Sequence, residues 1–346
     1  MITLASLFTP DMIWGTFIGL VIAFAIPMTL VAFGGMYSEH SGIVNIALEG
    51  IMVIGSMVAV AVARSLNDVV KNGSLPSWAA MIVVILAAGI GGSLFGLLLS
   101  FASNALKADQ TIAGTALNIM APAIFLIVST AMNNGIETDW MSWPSWYKLS
   151  PDVFGVTERG FIRSLTTYTI CNETTFFAIV LIPLFAFILY KTRYGLRLRS
   201  CGENPEASAS LGINVLGLRY SSGLISGFLA GIGGCAFTLA NTSDVYGDVA
   251  GLGFLSIAVM IFGNWNAVKI IFAALFFSFF KTLGNMTNIL ANSENSFLQA
   301  LVSFPMASVV FAMLPYVVTL LVLIFTSKKS QAPNAEGKPF DVSRRS

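Results

Sequence analysis

The chain has 346 residues, 56% hydrophobic and only 10% charged, with a mean hydropathy of +0.81. Soluble domains carry about 25% charged residues, so this composition excludes a water-soluble fold and implies an all-α, polytopic transmembrane helical bundle. The formal net charge of +1 carries little weight, no nucleic-acid partner is expected, and a lone histidine, His40, excludes a multi-histidine metal site.

The opening residues MITLASLFTPDM lack a basic n-region, so the first apolar run is expected to be a retained transmembrane helix. Apolar runs of about 17–25 residues mark membrane segments. They fall at 12–34, 42–63, 78–103, 111–133, 174–190, 220–242, 267–290 and 305–327, with a shorter run at 253–264. About nine or ten segments are expected, some of them broken or re-entrant, because 253–264 is too short to span as a straight helix.

The stretch MYSEHSGIVNIALEGIMVIG, 36–55, sets Glu39 and His40 ahead of an apolar run and Asn45 and Glu49 inside it. On a helix Asn45, Glu49 and Ser56 share one face. A second polar stripe runs through Thr111, Thr115 and Asn118. Polar groups within a bilayer avoid lipid, so both stripes are expected to face the bundle interior. They either line a translocation path or cross-link helices, and for Glu49 the structural role is preferred. Glu39 and His40 are placed at the cytoplasmic edge or in a re-entrant turn. Glycines at 89, 91, 92 and 96, and at 227, 231, 233 and 234, are expected to let helices pack closely.

Two stretches break the apolar pattern. Residues 134–173 form an extracytoplasmic loop whose Trp140, Trp143 and Trp146 suit the headgroup region. Residues 191–219 carry Lys191, Arg193, Arg197, Arg199 and Arg219, and the tail 328–346 carries Lys328, Lys329, Lys338, Arg344 and Arg345. The positive-inside rule assigns both to the cytoplasm. The four apolar runs between them return the chain to the same side. Counting backwards puts 134–173 outside, and the N-terminus outside when 42–63 is one crossing.

Within the basic loop, Asn204 fits an N-cap, Pro205 the first helical position, Glu206 the first turn and Gly212 the C′ stop. A short helix over about 205–211 follows, and two turns need something to pack on. Asp244 and Asp248 read as a solvated turn ahead of the broken helix, and FAALFFSFF, 272–280, as a packing or lipid-facing helix. Cys171, Cys201 and Cys235 read as scattered apolar fillers. The chain has no GxxxxGK[ST], HExxH or GxSxG, so it is expected to be neither an enzyme nor a carrier of its own cofactor.

EASASLG, beginning at Glu206, resembles the EAA…G signature of ABC-transporter permeases. SEHSGIVNIALEG (38–50), LKADQTIAGTALNI (106–119), TRYGLRLRSCGENPEASASLGIN (192–214), SGLISGFLAGIGG (222–234) and GLGFLSIAVMIFGNWN (251–266) resemble, in order, the permeases of importers for simple sugars, branched-chain amino acids and nucleosides. Those working with nucleoside-binding lipoproteins are the most similar. His40 stands where the family commonly has arginine, and loop 134–173 is long for it. The resemblance implies one permease domain over 1–327, in a homo- or heterodimeric permease core in the plasma membrane. Two ATP-binding ATPase subunits and an extracytoplasmic substrate-binding lipoprotein complete that assembly. It also implies a coupling helix, with Asn204, Pro205, Glu206, Ala207 and Gly212 meeting the ATPase. The substrate class it implies is a nucleoside, with purine nucleosides foremost. Simple sugars or branched-chain amino acids are alternatives, and a proton-coupled carrier using Glu49 or His40 is the rival class.

Overall fold

The computed structural model describes residues 10–136, 138–147, 151–156, 160–169, 173–241, 244–291, 299–300, 302–326 and 332–340. Cys171, Lys328, Lys329, Arg344 and Arg345 lie outside the described residues. The helices are α1 (Pro10–Glu39), α2 (Leu48–Ser65), α3 (Asn67–Lys71), α4 (Ser77–Asn104), α5 (Gln110–Met132), α6 (Phe161–Tyr168), α7 (Glu173–Lys191), α8 (Arg193–Glu203), α9 (Pro205–Ser210), α10 (Val215–Asn241), α11 (Leu252–Phe262), α12 (Ala267–Ala291) and α13 (Ala307–Thr326). Seven of them are long and apolar enough to cross a membrane, and α11 and α13 are further apolar helices.

Helices α1, α2 and α10 form the centre, with α4 alongside and α5 and α7 at the rim. In its most apolar stretch α10 is 83% buried, whereas α5 and α7 are each 22% buried. No hydrophobic effect drives helices together inside lipid, so close approach of backbones must supply the attraction. Helices α4 and α10 achieve it with glycine on both sides. A Cβ added at Gly92 would lie 2.3 Å from the Gly227 carbonyl oxygen, and one added at Gly96 2.9 Å from that of Gly223.

Helix α1 runs five residues past the apolar run at 12–34, to Glu39, and the run predicted at 42–63 opens with an irregular segment before α2 starts at Leu48. At the other end of α1, Gly15 and Gly19 lie against α6, a short helix inside the loop expected at 134–173. Strand β1 (Trp140–Ser142) of that loop pairs antiparallel with β2 (Asp244–Tyr246). The start of α1, α6, β1 and β2 therefore share one end of the bundle. Trp143 is buried there and stacks on Tyr147, ring centroids 5.4 Å apart, so it packs on protein, while Trp140 is exposed.

Candidate functional site

Residues 40–47, between α1 and α2, are irregular backbone that is buried or half-buried throughout. Buried backbone without helix or sheet must find other partners, and here side chains supply them. Ser38 Oγ donates to the Ile43 carbonyl (2.9 Å), and Gln110 Oε1 accepts from the Val44 N–H (2.8 Å). Asn45 Oδ1 accepts from the Ala47 N–H (3.1 Å), while its Nδ2 donates to Ser226 Oγ on α10 (2.8 Å). Asn118 of α5 donates from Nδ2 to the Ile46 carbonyl and accepts at Oδ1 from the Gly50 N–H, both at 2.8 Å. Asn118 thereby bridges the irregular segment and the first turn of α2.

Glu49, in the first turn of α2, meets the start of α11. Its Oε1 accepts from the Gly251 N–H (2.9 Å), and its Oε2 from those of Gly253 (2.6 Å) and Phe254 (3.3 Å). Helix α11 has 11 residues, or about 16 Å at 1.5 Å per residue. That is about half a hydrocarbon core of ~30 Å. The N–H groups in the first turn of such a helix have no partner within it. The Glu49 carboxylate takes three of these donors and carries the charge that a helix N-terminus favours.

At the far end of α11, Trp265 Nε1 donates to Glu39 Oε2 (2.5 Å). Glu39 is 4% exposed; it sits within the packed turn rather than at an open edge. Burial, with Arg199 nearby, pushes the His40 pKa down to about 4, against a hydrogen bond with the Trp265 backbone that favours its charge. This imidazole is neutral at pH 7, so it does not reproduce the fixed charge of an arginine. The unfolded chain binds a proton at His40 below about pH 6.5, whereas the folded chain does so only near pH 4. Stability from this group is therefore lost as pH falls through that window, on the order of 3 kcal/mol by pH 4. The thermal midpoint of the wild type in detergent is expected to drop relative to His40→Gln as pH falls from 7 to 4.5. Parallel profiles would refute this.

The remaining candidates divide. Ser56 is fully buried, with Oγ donating to the Val53 carbonyl of its own helix. Thr111 and Thr115 are exposed on α5, Thr115 Oγ1 bonding back to the Thr111 carbonyl (2.8 Å), while Asn118 turns inward onto the chain's own helices. Sequence reasoning passed over Gln110, although a polar residue opening an apolar run was a usable signal. It also passed over Trp265 and counted Arg219 only as part of the basic loop, because the partners of both are distant in sequence.

At the basic end of the bundle, Asn204 Oδ1 accepts from the Ala207 N–H (2.9 Å), capping α9. Gly212, at φ +79°, closes the helix as a Schellman motif. Its N–H donates to the Ala209 carbonyl and that of Ile213 to the Ser208 carbonyl. Ser208 and Ala209 face inward, and Ala209 packs with Cys201 and Val215. Glu206, Ala207, Ser210 and Leu211 are exposed, and Leu211 at 82% is a large apolar side chain left open. The arrangement is a capped two-turn knob with an exposed face. Among the described residues no group of three or more histidine, cysteine or carboxylate side chains is arranged to hold a metal ion.

The family described as the permease component of branched-chain amino acid transport systems matches residues 17–326. The guanosine ABC transporter permease protein NupQ of Bacillus subtilis is 32% identical over 94% of this chain and 96% of its own length. The nucleoside ABC transporter permease protein NupC of Lactococcus lactis is 34% identical over 92% and 94%. A putative glucose ABC transporter permease protein of Haloferax volcanii, TsgC13, is 24% identical over 88% and 89%.

Proposed function

From a chain that belongs to the permease family of branched-chain amino acid transport systems, we propose a nucleoside importer subunit, with purine nucleosides as its substrates. It is a membrane-spanning component of an ABC transporter and not an enzyme. The observation that carries the substrate class is the similarity to two nucleoside permeases across more than nine-tenths of every chain involved. A glucose permease at 24% identity supports the sugar alternative less well. The test is uptake of labelled guanosine in cells with and without this chain, with unlabelled nucleosides, ribose and leucine as competitors. Uptake that requires the chain and yields only to nucleosides is the expected result. Competition by ribose or leucine would overturn the substrate class.

The family implies an ATPase, a second permease and an extracytoplasmic substrate-binding protein as partners. We place the end carrying α9 in the cytoplasm of a plasma-membrane protein, because that loop and the tail hold the basic excess. Helix α9 is then the coupling helix, inserting the exposed face of Glu206, Ala207 and Leu211 into the ATPase subunit. Asn45, Glu49, Ser56 and Asn118 hold the helices around the path, and Thr111 and Thr115 lie on the α5 face open to the substrate route or the second permease.

Glu206→Lys reverses charge on the free face. Gly212→Pro removes the N–H bonded to Ala209 and cannot adopt φ +79°. Both are expected to cut uptake at least tenfold while ATP hydrolysis continues without response to substrate. Normal uptake with substrate-stimulated hydrolysis in both variants would remove the coupling assignment.

A further inference from the structure

The tail segment Ala332–Phe340 folds back onto the end of the bundle that carries α9. The Ala335 N–H donates to the Gly202 carbonyl at the end of α8 (2.8 Å), and the Gly337 N–H to the Gly42 carbonyl in the turn after α1 (3.2 Å). Asn334 Nδ2 donates to Glu203 Oε2 (2.6 Å). Phe340 packs against the apolar cluster of Cys201, Ala209 and Val215 beneath α9. Arg219, on α10 and fully buried, joins the layers: Nε donates to the Ser41 carbonyl (3.2 Å) and Nη2 to the Lys338 carbonyl (3.1 Å), with the Phe340 ring 6.0 Å from Cζ.

One segment thus touches α8, α9, α10 and the turn after α1, the last of which lies about three hundred residues before it in sequence. Pro333 and Ala335 are buried in this contact, while Asn334, Lys338 and Pro339 face outward. The outward edge and the start of α9 form the two walls of one groove of about 540 Å³, lined by Glu203, Asn204, Glu206, Asn334 and Lys338 among others. Glu206 and Lys338 therefore face the same groove.

We infer that residues 332–340 are a strap that ties the end of α8 to the turn after α1 and, with α9, forms the surface on which the ATPase subunit docks. The inference rests on the coupling assignment proposed above, and it adds a second docking element far from α9 in sequence. Backbone bonds tie the strap to α8, to the turn after α1 and to Arg219, only Phe340 packs beneath α9, and the Lys338 side chain is left exposed to meet the partner.

The test uses the assembled transporter with a photo-crosslinking amino acid at position 338, at 206, or at 136 on an exposed site in the loop after α5. Adducts with the ATPase chain from 206 and 338, and none from 136, are expected. An ATPase adduct from 206 without one from 338 overturns the strap as a docking element while leaving the coupling assignment intact. An adduct from 338 confined to residues 341–346 of the same chain does so too. No ATPase adduct from either position removes both readings. In a second measurement, deleting 332–346 is expected to weaken ATPase retention at least tenfold while the permease still elutes as a single species. Unchanged retention overturns the inference.

Discussion

Replacing Gly231 by leucine is expected to eliminate the folded chain from the membrane. Gly231 lies where α10 meets both α2 and α4. A Cβ added there would sit 2.4 Å from the Ala88 carbonyl oxygen and 3.0 Å from the Gly92 Cα, both on α4. From the other side, a Cβ at Gly55 of α2 would sit 2.4 Å from the Gly231 Cα. These neighbours are backbone atoms, so no rotamer change can make room and whole helices must separate. Overpacking a well-packed core costs about 1–3 kcal/mol where side chains can yield. Here separation also breaks the close backbone packing that holds helices together without a hydrophobic drive. Gly231→Ala is expected to lower the thermal midpoint in detergent, and Gly231→Leu to leave no monodisperse peak on size-exclusion chromatography. Gly160→Ala is the control, because nothing lies within 4 Å of the added atom. A Gly231→Leu chain that elutes and melts like the wild type would refute the three-helix crossing.

That crossing was legible in the sequence as glycines inside apolar runs, since glycine in a membrane helix has few uses besides close approach. The cap, the first turn and the stop of α9 were equally legible, because Asn204, Pro205 and Gly212 each act within a few residues of themselves. What stayed hidden was set by distant partners. The irregular segment 40–47 contains Ile43, Val44 and Ile46, so its hydropathy continues that of α2. Only the backbone demands met by Gln110 and Asn118 reveal it. The apolar run stops at 34, but α1 continues to Glu39, which Trp265 stabilises inside the fold. Strands β1 and β2 have three residues each and pair across about a hundred positions, so neither carries a local signal. The segment 332–340 is polar and reads as a free tail, because nothing local announces that Arg219 is buried beneath it.

Glu49→Leu is expected to destabilise the chain severely, and comparison with Glu49→Gln separates the two roles open to a buried acid. Leucine leaves the N–H groups of Gly251, Gly253 and Phe254 without an acceptor at the start of a half-helix. Each unsatisfied buried group costs about 1–3 kcal/mol, and the lost charge forfeits up to ~2 kcal/mol of helix-terminus stabilisation. Glutamine keeps one acceptor oxygen for Gly253 and Phe254 and turns its amide NH2 on Gly251, so its loss is expected to be a fraction of that. If Glu49 acts as a cap, uptake per folded molecule stays near wild type in Glu49→Gln, and the thermal midpoint orders the variants as wild type, glutamine, leucine. A proton relay gives the opposite pattern, because glutamine is nearly isosteric but cannot pass a proton. Glu49→Gln would then fold normally and transport nothing. The geometry favours the first pattern: both carboxylate oxygens are occupied by backbone donors of α11. A group committed to three fixed N–H partners must break that cap each time it takes up a proton, and the start of α11 would come loose from α2.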